Sequence, residues 1–295
     1  MITVKLISGL GNQLFQYAMG RQLALTRGTE LKFDLSFFDT QQLRSFKLDN
    51  FNIQASVATP AEIADYLEPY TSLALRHKIF RRIDARRPKY KRRVFREGEW
   101  WVYEPEVFQV PSHVYLDGYW QHYKYFTDIQ PCVLDELTLK PTGNESADKL
   151  AAAIQANPGA VAVHVRRGDY ITDSTANAFM GVLPVSYYQQ AMAYVAARVP
   201  DAHFYFFSDE PAWVKHHLLS GNNTSVVEVE NGTDYLDLDL MSKCAHTIIA
   251  NSSFSWWGAF LNRNPTKLVV APRQWVVPSE VNQKIELVLP SWVKL

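Results

Sequence analysis

The chain has 295 residues, a length that suits two domains of about 150 residues each. Its 30 Lys and Arg balance 30 Asp and Glu, so no overall charge attracts it to nucleic acid or to an anionic membrane. The two cysteines, Cys132 and Cys244, exclude a disulfide scaffold and fit a reducing compartment. No apolar run reaches the roughly 18 residues of a membrane span, so we expect a soluble cytoplasmic protein that starts at its first strand.

The first half of the chain opens like an α/β domain. An apolar run leads through a glycine-containing stretch into apolar residues at helical spacing, which predicts a strand, a turn and a helix. The predicted elements are a strand at 2–7, a helix at 14–27, a strand at 31–34 and a strand within 112–120. The rest of this half shows no clear periodicity.

The predicted turn SGLGNQ, from Ser8 to Gln13, has two interpretations. Gly9 and Gly11 lie between a strand and a helix, where backbone amides and the helix N-terminus can bind a phosphate. The stretch lacks the third glycine of the dinucleotide fingerprint and the lysine of a P-loop. A tight turn that needs a positive φ is the alternative, and it is favoured if the motif stands alone.

One segment of the first half departs from neutrality. Residues 76–96 contain eleven Lys or Arg and one acid, a net charge of +10, so the remainder of the chain carries −10. A solvated helical face, interrupted at Pro88, is one interpretation. The other is docking to an anionic membrane or to a pyrophosphate-linked lipid acceptor, aided by apolar residues such as Ile79 and Ile83. Nucleic-acid binding ranks third, because no recognised nucleic-acid module accompanies the segment.

The second half, after a polar and turn-rich linker at 139–149, alternates between strands and helices. Strands are predicted at 161–165, 203–207, 225–229, 246–250 and 267–271, and helices near 185–198, 211–219, 234–243 and 254–263. Such alternation predicts a parallel sheet with right-handed crossovers and with ligands at the carboxyl ends of its strands. We predict two α/β domains, 1–143 and 144–295, with a cleft between them.

Two arginines follow the first of these strands, in the stretch VAVHVRRGDYITD from 161 to 173. The fixed fork of a guanidinium suits bidentate binding of phosphate or carboxylate. Arg166 and Arg167 therefore stand at the predicted ligand edge of the sheet. The neighbouring His164 and Asp169 favour a site over a surface ion pair. Because side chains alternate along a strand, only one of the two arginines should point toward the ligand.

Polar residues also follow two further strands. FFSDEPAW places Ser208 and Asp209 before a helix, where they would cap the helix or serve a ligand. ANSSFSWWGAF, at 250–260, opens another helix with three serines. Its hydroxyls and amides would hydrogen-bond a diphosphate without needing a metal. Capping by Ser252 or Ser253 is the alternative.

The chain resembles glycosyltransferase family 11, the α-1,2-fucosyltransferases, in four motifs that occur in the family's order and near its spacing. They are GLGNQLFQYAMGRQLA, HVRRGDY, FFSDE and NSSFSWWGAFL, and the resemblance covers 5–262. It implies an α/β fold of GT-B type, with an N-terminal acceptor-side domain and a C-terminal Rossmann-like domain that binds GDP-fucose. It also implies transfer of L-fucose to the 2-hydroxyl of a galactose-terminated oligosaccharide such as a bacterial O-antigen, with inversion and without a divalent metal or another cofactor.

The resemblance further implies roles for individual residues. Arg166 would be the main contact to the diphosphate, with His164 positioning it or touching the donor. Asp209, with Ser208, would lie near the guanosine. The donor contacts from the remaining motifs would be Gly11, Asn12, Ser252, Ser253, Phe254 and Ser255. Ser8 stands where many members of the family have glycine.

The acceptor hydroxyl must lose its proton when it attacks the donor sugar. Asp169 is our first candidate for the base that takes it, and Asp173 is the second. If Asp169 is not the base, its carboxylate would pair with an arginine. A further alternative is that a loose transition state requires little base catalysis.

Other functions stay open at this point. Another GDP-sugar transferase, or a fucosyltransferase of different linkage, would share these motifs. A nucleotide-sugar-binding protein without activity would bind GDP and fail to turn over. A membrane or nucleic-acid module built on 76–96 would bind with a steep salt dependence and ignore GDP.

Overall fold

The computed structural model describes residues 1–40, 44–219, 221–229, 231 and 233–295. The chain divides into two compact units, Met1–Thr138 and Leu139–Leu295. The boundary between them lies five residues before the one predicted from the sequence, which was at 143–144. The predicted linker at 139–149 ends earlier than expected, because a helix begins at Glu145. Asn144 caps this helix by accepting a hydrogen bond from the Ala147 N–H.

The first unit is built around a parallel sheet. Its elements are β1 (Ile2–Lys5), α1 (Leu10–Arg27), β2 (Leu31–Asp34), β3 (Ser56–Val57), α2 (Pro60–Thr71), α3 (Leu75–Ala85), β4 (Val94–Arg96), β5 (Val114–Asp117) and α4 (Gln130–Glu136). The strand order is β3-β2-β1-β5-β4, and every pair is parallel. The predicted strands and the helix α1 of this half are confirmed, with shorter strands. β4 lies inside the basic segment, where no strand was predicted.

The turn between β1 and α1 differs from the prediction. The helix begins at Leu10, so Gly11 and Asn12 lie in its first turn and a glycine turn through Gln13 is wrong. The positive φ falls on Ser8, at 69°, whereas Gly9 has a φ of −79°. The Ser8 hydroxyl accepts a hydrogen bond from Nδ2 of Asn12 at 2.9 Å. This bond supports a left-handed backbone that glycine would adopt without strain.

The second unit contains the alternating pattern read from the sequence. Its elements are α5 (Glu145–Gln155), β6 (Ala160–Val165), α6 (Gly168–Thr172), α7 (Ser174–Met180), α8 (Val185–Ala196), β7 (His203–Ser208), α9 (Pro211–His217), β8 (Thr224–Val226), α10 (Asp234–Lys243), β9 (His246–Ile248), α11 (Ser253–Leu261), β10 (Val269–Ala271), α12 (Ser279–Asn282) and β11 (Val293–Lys294). All five predicted strands and all four predicted helices are confirmed. The short helices α6 and α7, which follow the two arginines, were not predicted.

The order of strands in the second sheet creates a ligand edge. The order is β11-β10-β9-β6-β7-β8, and all pairs are parallel. The chain therefore runs outward in one direction from β6 and in the opposite direction from β9. This is the strand order of dinucleotide-binding folds, in which ligands bind beyond the carboxyl ends of the strands where the order reverses.

Strand β6 lies at the centre of this sheet and is buried along its whole length. Val161, Val163 and Val165 belong to one hydrophobic cluster, and Ala160 and Ala162 belong to another. Because successive side chains of a strand point to opposite faces, both faces of β6 are covered. Each buried valine contributes about 1.5–3 kcal/mol to folding. Burial on both faces explains why β6 is a continuous apolar run rather than an alternating one.

Within the described part of the chain, no helix combines the length and the apolar composition that crossing a membrane requires.

Candidate functional site

Three of the sequence motifs meet at the carboxyl edge of the second sheet. Arg166 follows β6, Asp209 follows β7 and Ser252 follows β9. These three strands are immediate neighbours, because β6 pairs with β7 on one side and with β9 on the other. The edge therefore gathers a guanidinium, a carboxylate and the start of a helix, as the sequence pattern predicted.

Arg166 is held between two carboxylates. Its Nη2 lies 2.6 Å from Oδ1 of Asp169, and its Nη1 lies 3.0 Å from Oδ2 of Asp209. Burial of the side chain, which is 23% exposed, disfavours the charged form, but the two carboxylates outweigh it and raise the pKa of Arg166 further. A guanidinium has five N–H donors, so two carboxylate contacts leave donors for an anionic ligand. Arg166 is a fixed positive charge at the edge of the sheet.

Arg167 serves a different purpose from its neighbour. Its Nε donates to Oε2 of Glu210 at 3.0 Å, and its guanidinium lies 3.9 Å from the ring centroid of Trp213. Its backbone N–H donates to Oδ1 of Asp209. These contacts tie the β6 loop to α9. The expectation that only one of the two arginines faces the ligand edge agrees with this arrangement.

Asp209 and Ser208 do not cap α9 in the way that the sequence allowed. The N-cap residue is Glu210, and its side chain makes no capping hydrogen bond. The Ser208 hydroxyl accepts from the Glu210 N–H at 3.0 Å. The Asp209 carboxylate instead receives the backbone N–H of Arg167 and contacts the Arg166 guanidinium. Asp209 thus positions Arg166 from the neighbouring strand.

Gly168 makes the contact between Arg166 and Asp209 sterically feasible. A Cβ at this position would lie 2.8 Å from Oδ2 and 3.2 Å from Cγ of Asp209, closer than ordinary van der Waals contact. No role was predicted for Gly168, because a glycine between two charged residues does not by itself indicate a close approach of another side chain.

The variant Gly168→Ala should therefore displace the Asp209 carboxylate and misalign Arg166. We expect kcat/KM for the sugar donor to fall about 100-fold, the effect of a displacement near 1 Å on a positioned group. Steady-state kinetics would measure this. Gly143→Ala is the control, because its added methyl meets nothing within 4 Å and its positive φ of 71° strains only the backbone. Equal activity in both variants would contradict the positioning role.

His164 is buried behind the arginine. Burial, reinforced by the nearby charge of Arg166, lowers its pKa to about 3, so the ring is neutral at pH 7. Its centroid lies 5.4 Å from that of Phe254 in the first turn of α11. A neutral imidazole in this place packs the end of β6 against α11. Its assignment to the catalytic group stays a prediction.

The N-terminus of α11 points a second group of donors at the edge. Ser252 is the N-cap, but its side chain makes no capping hydrogen bond, so the capping alternative is not supported for it. The first helical residues are Ser253, Phe254 and Ser255, and backbone N–H groups at such a position favour an anion. The Ser255 hydroxyl is buried and donates to the Ala250 and Ser252 carbonyls.

Two side chains that the sequence analysis did not select hold the edge together. The buried Asn251 donates through Nδ2 to the carbonyls of Met180 and Trp275, at 2.8 and 3.1 Å. Tyr170 donates its hydroxyl to the Asn251 carbonyl at 3.2 Å. These bonds join the loops after β6, β9 and β10. The only sequence signal was the asparagine inside the serine-rich motif.

The two candidates for the base occupy different settings. Asp169 is the close ion-pair partner of Arg166, so its carboxylate orients the guanidinium. Asp173 is exposed and caps α7, with Oδ1 accepting from the N–H groups of Thr175 and Ala176. Their assignment as a base stays a prediction.

The first unit has its own polar cluster at the carboxyl edge of its sheet. Oδ1 of Asn12, in the first turn of α1, accepts from Nε2 of Gln121 at 2.6 Å. Nearby in the fold of this unit, the loop after β5 is held by Glu97, which accepts backbone N–H groups from Tyr119 and Trp120. Burial raises the pKa of Glu97 to about 7. Asn12 was predicted from the sequence as a site residue, whereas Glu97, which directly follows the basic segment 76–96, was not.

No group of three or more His, Cys, Asp or Glu is arranged to hold a metal ion among the residues that the structure describes. The polar edge of the second unit presents three kinds of group to an anion: the Arg166 guanidinium, the backbone amides at the start of α11, and the hydroxyls of Ser252 and Ser253.

Comparison with known proteins identifies the family. A model of glycosyl transferase family 11 matches residues 1–295. The chain belongs to this family. The resemblance drawn from the motifs is confirmed, and this family 11 member is a glycosyltransferase.

Two similar proteins from Escherichia coli match the family 11 chain over nearly its full length. One is an alpha-1,2-colitosyltransferase, 30% identical over 293 residues that cover 96% of this chain and 94% of the relative. The other is the O-antigen biosynthesis glycosyltransferase WbnK, 31% identical over 310 residues that cover 98% and 99%. A galactoside alpha-(1,2)-fucosyltransferase 2 from Hylobates lar is 30% identical over 171 residues, covering 55% of this chain and 50% of the relative.

Solved structures establish the fold class of this family 11 enzyme. A crystal structure of NodZ alpha-1,6-fucosyltransferase soaked with GDP-fucose matches with a TM-score of 0.51 at 14% identity, covering 88% of this chain and 92% of NodZ. A crystal structure of POFUT1 in complex with GDP-fucose matches with a TM-score of 0.50 at 13% identity, covering 92% and 97%. The predicted α/β fold of GT-B type, with a parallel sheet in each unit, is confirmed.

Proposed function

We propose that this family 11 enzyme transfers L-fucose from GDP-fucose to the 2-hydroxyl of a terminal galactose, forming an α-1,2 linkage. The observation that carries the proposal is the position of Arg166, fixed by Asp169 and Asp209 at the strand-order reversal of a Rossmann-like sheet. The names of the relatives support the linkage, since those quoted by activity are alpha-1,2 transferases. WbnK supports an O-antigen glycan as the acceptor.

The chemistry of the transfer explains why a fixed guanidinium is needed. The bond between the fucose anomeric carbon and the phosphate oxygen breaks, and its electron pair leaves with GDP. A new bond forms between that carbon and the acceptor oxygen, while the acceptor loses its proton. Negative charge therefore grows on the diphosphate, and donors that are already oriented stabilise it without reorganising. Arg166, together with the α11 amides, would supply that stabilisation.

We also propose that the reaction inverts the anomeric centre and requires no divalent metal. A single in-line displacement by the acceptor oxygen inverts the configuration. Arg166 is charged at any physiological pH, so it can take the place that a metal holds in other diphosphate sites. The nucleotide would lie across the β6 and β7 loops, with Asp209 and Ser208 on the guanosine side and Ser252 to Ser255 near the phosphates.

The proton of the acceptor hydroxyl would pass to a carboxylate or directly to solvent. Asp169 is already engaged in a close ion pair with Arg166, so a positioning role competes with a role as the base. Comparison of Asp169→Asn and Asp173→Asn separates base from positioning roles. Loss of the acidic limb of the pH–kcat profile in one variant identifies the base, whereas weaker donor binding with an unchanged pH profile identifies a positioning residue.

A second candidate donor deserves a direct test, because one full-length relative is a colitosyltransferase. Colitose is fucose without its 3-hydroxyl group, so the same diphosphate site would accept either GDP-sugar. The donor is then selected by a few contacts to one hydroxyl. A pocket that hydrogen-bonds the 3-hydroxyl would reject colitose strongly, whereas an apolar pocket would discriminate weakly.

The assay compares GDP-fucose, GDP-colitose and GDP-mannose with lactose and other galactose-terminated oligosaccharides as acceptors, in EDTA. We expect the galactose to gain one deoxyhexose at its 2-position, which mass and linkage analysis would show. NMR of the product would give the anomeric configuration. Transfer from GDP-mannose alone, transfer to another hydroxyl, or a requirement for added metal would contradict the corresponding part of the proposal.

A further inference from the structure

Helix α3 presents a row of apolar side chains to solvent. Leu75, Ile79 and Ile83 are spaced four residues apart, so they lie along one face of the helix. Their exposed fractions are 73%, 52% and 51%. The apolar stripe of a helix that packs only against its own protein faces inward. A row of aliphatic side chains on the outer face of α3 therefore indicates a surface that binds a partner.

The opposite face of α3 fixes this orientation. Asp84 is buried and accepts a hydrogen bond from the Tyr70 hydroxyl at 2.5 Å. Arg81 donates through Nη1 to the carbonyls of Pro69 and Ser72, at 3.1 and 2.7 Å. These polar contacts attach α3 to the end of α2. The aliphatic row is consequently held outward.

A row of cations runs beside the aliphatic row. Lys78, Arg82 and the C-cap residue Arg86 are also spaced four residues apart and are exposed. Asp84 is the single acid of α3, and it is buried on the other face. The outer face of the helix therefore combines aliphatic side chains with positive charge and carries no acid.

We propose that the outer face of α3 docks on an anionic lipid bilayer. The aliphatic row would enter the boundary between headgroups and acyl chains, and Lys78, Arg82 and Arg86 would contact the lipid phosphates. At 11 residues the helix is about 16 Å long, which suits a helix lying in the plane of the interface. The complementary charge of an anionic surface selects this partner. Nucleic acid would match the cations but leave the aliphatic row exposed to water. The inference is independent of the donor and linkage proposed above.

Co-sedimentation with vesicles tests the proposal on the full chain. Vesicles of phosphatidylcholine alone would be compared with vesicles that also contain phosphatidylglycerol, at low and high salt. We expect binding to the anionic vesicles and a loss of binding at high salt. The triple change Lys78→Glu, Arg82→Glu and Arg86→Glu should weaken that binding by about 100-fold or more. The triple change Leu75→Ser, Ile79→Ser and Ile83→Ser should weaken it by about tenfold or more.

A charge-matched control shows whether the effect belongs to α3. The variant Lys149→Glu, Arg198→Glu and Lys284→Glu alters three exposed cations of the second unit by the same total charge. It should bind anionic vesicles like the parent protein. Thermal unfolding midpoints would verify that each variant is folded, so the test needs no turnover. Absence of vesicle binding in the parent, an unchanged aliphatic-row variant, or equal loss in the control would overturn the proposal.

Discussion

Replacing Arg166 with alanine should lower kcat/KM for the sugar donor by about 100- to 1,000-fold and leave the fold intact. The magnitude is that of removing a preorganised charge from a developing anion. The side chain is partly exposed at the sheet edge, and its closest contacts are the two carboxylates. The loss should therefore appear in turnover and donor binding rather than in the unfolding midpoint. Steady-state kinetics with circular dichroism would measure both.

Two further variants make this result specific. Arg166→Lys keeps the charge but loses the planar fork, so we expect it to recover only a part of the activity. Arg198→Ala removes an exposed arginine that donates to the Tyr194 carbonyl in the same helix region and should retain parental turnover. Near-parental activity in a folded Arg166→Ala enzyme would remove Arg166 from the site.

The buried His164 should make folding stability fall in acid. Its pKa is lowered from 6.5 to about 3 in the folded protein, chiefly by burial. Above about pH 6.5 the ring is neutral in both states and this stability is fully present. As the pH falls through 6.5 toward about 3, only the unfolded chain takes up the proton. The contribution that is lost across this window amounts to about 5 kcal/mol.

Urea unfolding at several values between about pH 4 and pH 7 would measure the slope. His164→Phe removes the titrating group and retains an aromatic ring, so its stability should depend less on pH in this range than that of the parent. His216→Phe is the control, because His216 is exposed, and it should keep the parental slope. An identical pH dependence in the parent and in His164→Phe would show that His164 is not buried as described.

The second sheet was predictable because strands that are buried on both faces have a continuous apolar sequence. β6 is covered on both faces, so its run of valine and alanine is continuous. The helices α8 and α10, with twelve and ten residues, carry enough turns for their apolar period to show, and the short α9 is marked by Pro211 in its first turn. The short helices α6 and α7 have five and seven residues, too few to display a period. They were missed although they flank the central motif.

The first sheet was harder to predict. β4 has three residues, of which Val94 and Phe95 are buried. It lies within a strongly basic segment, and so short an apolar stretch among cations does not indicate a strand. β3 has two residues, both exposed. Strands this short depend on their neighbours in the sheet rather than on their own composition. The start of α1 was predicted too late, because Gly11 was assigned to the preceding turn. In the structure this glycine lies in the first turn of the helix, which begins at Leu10.

The residues at the candidate site were predictable from the sequence, but the contacts between their side chains were not. The motifs gave Arg166 and Asp209 as residues that directly follow strands, which is where the structure has them, whereas Asp169 lies in the short helix α6. The contact of Arg166 with Asp209 joins residues on separate strands, and no local pattern specifies such a pairing. The roles of Gly168 and Asn251 likewise depend on distances of a few ångströms between loops.

Calorimetric titration of GDP into the protein in EDTA would show whether the Arg166 cluster of this family 11 enzyme binds the diphosphate of a nucleotide donor. We predict saturable binding to the parent protein and to Arg198→Ala, and binding weakened at least about 100-fold in Arg166→Ala, the worth of a charge-assisted bidentate contact. Absence of GDP binding by the parent, or equal affinity in Arg166→Ala, would contradict the account.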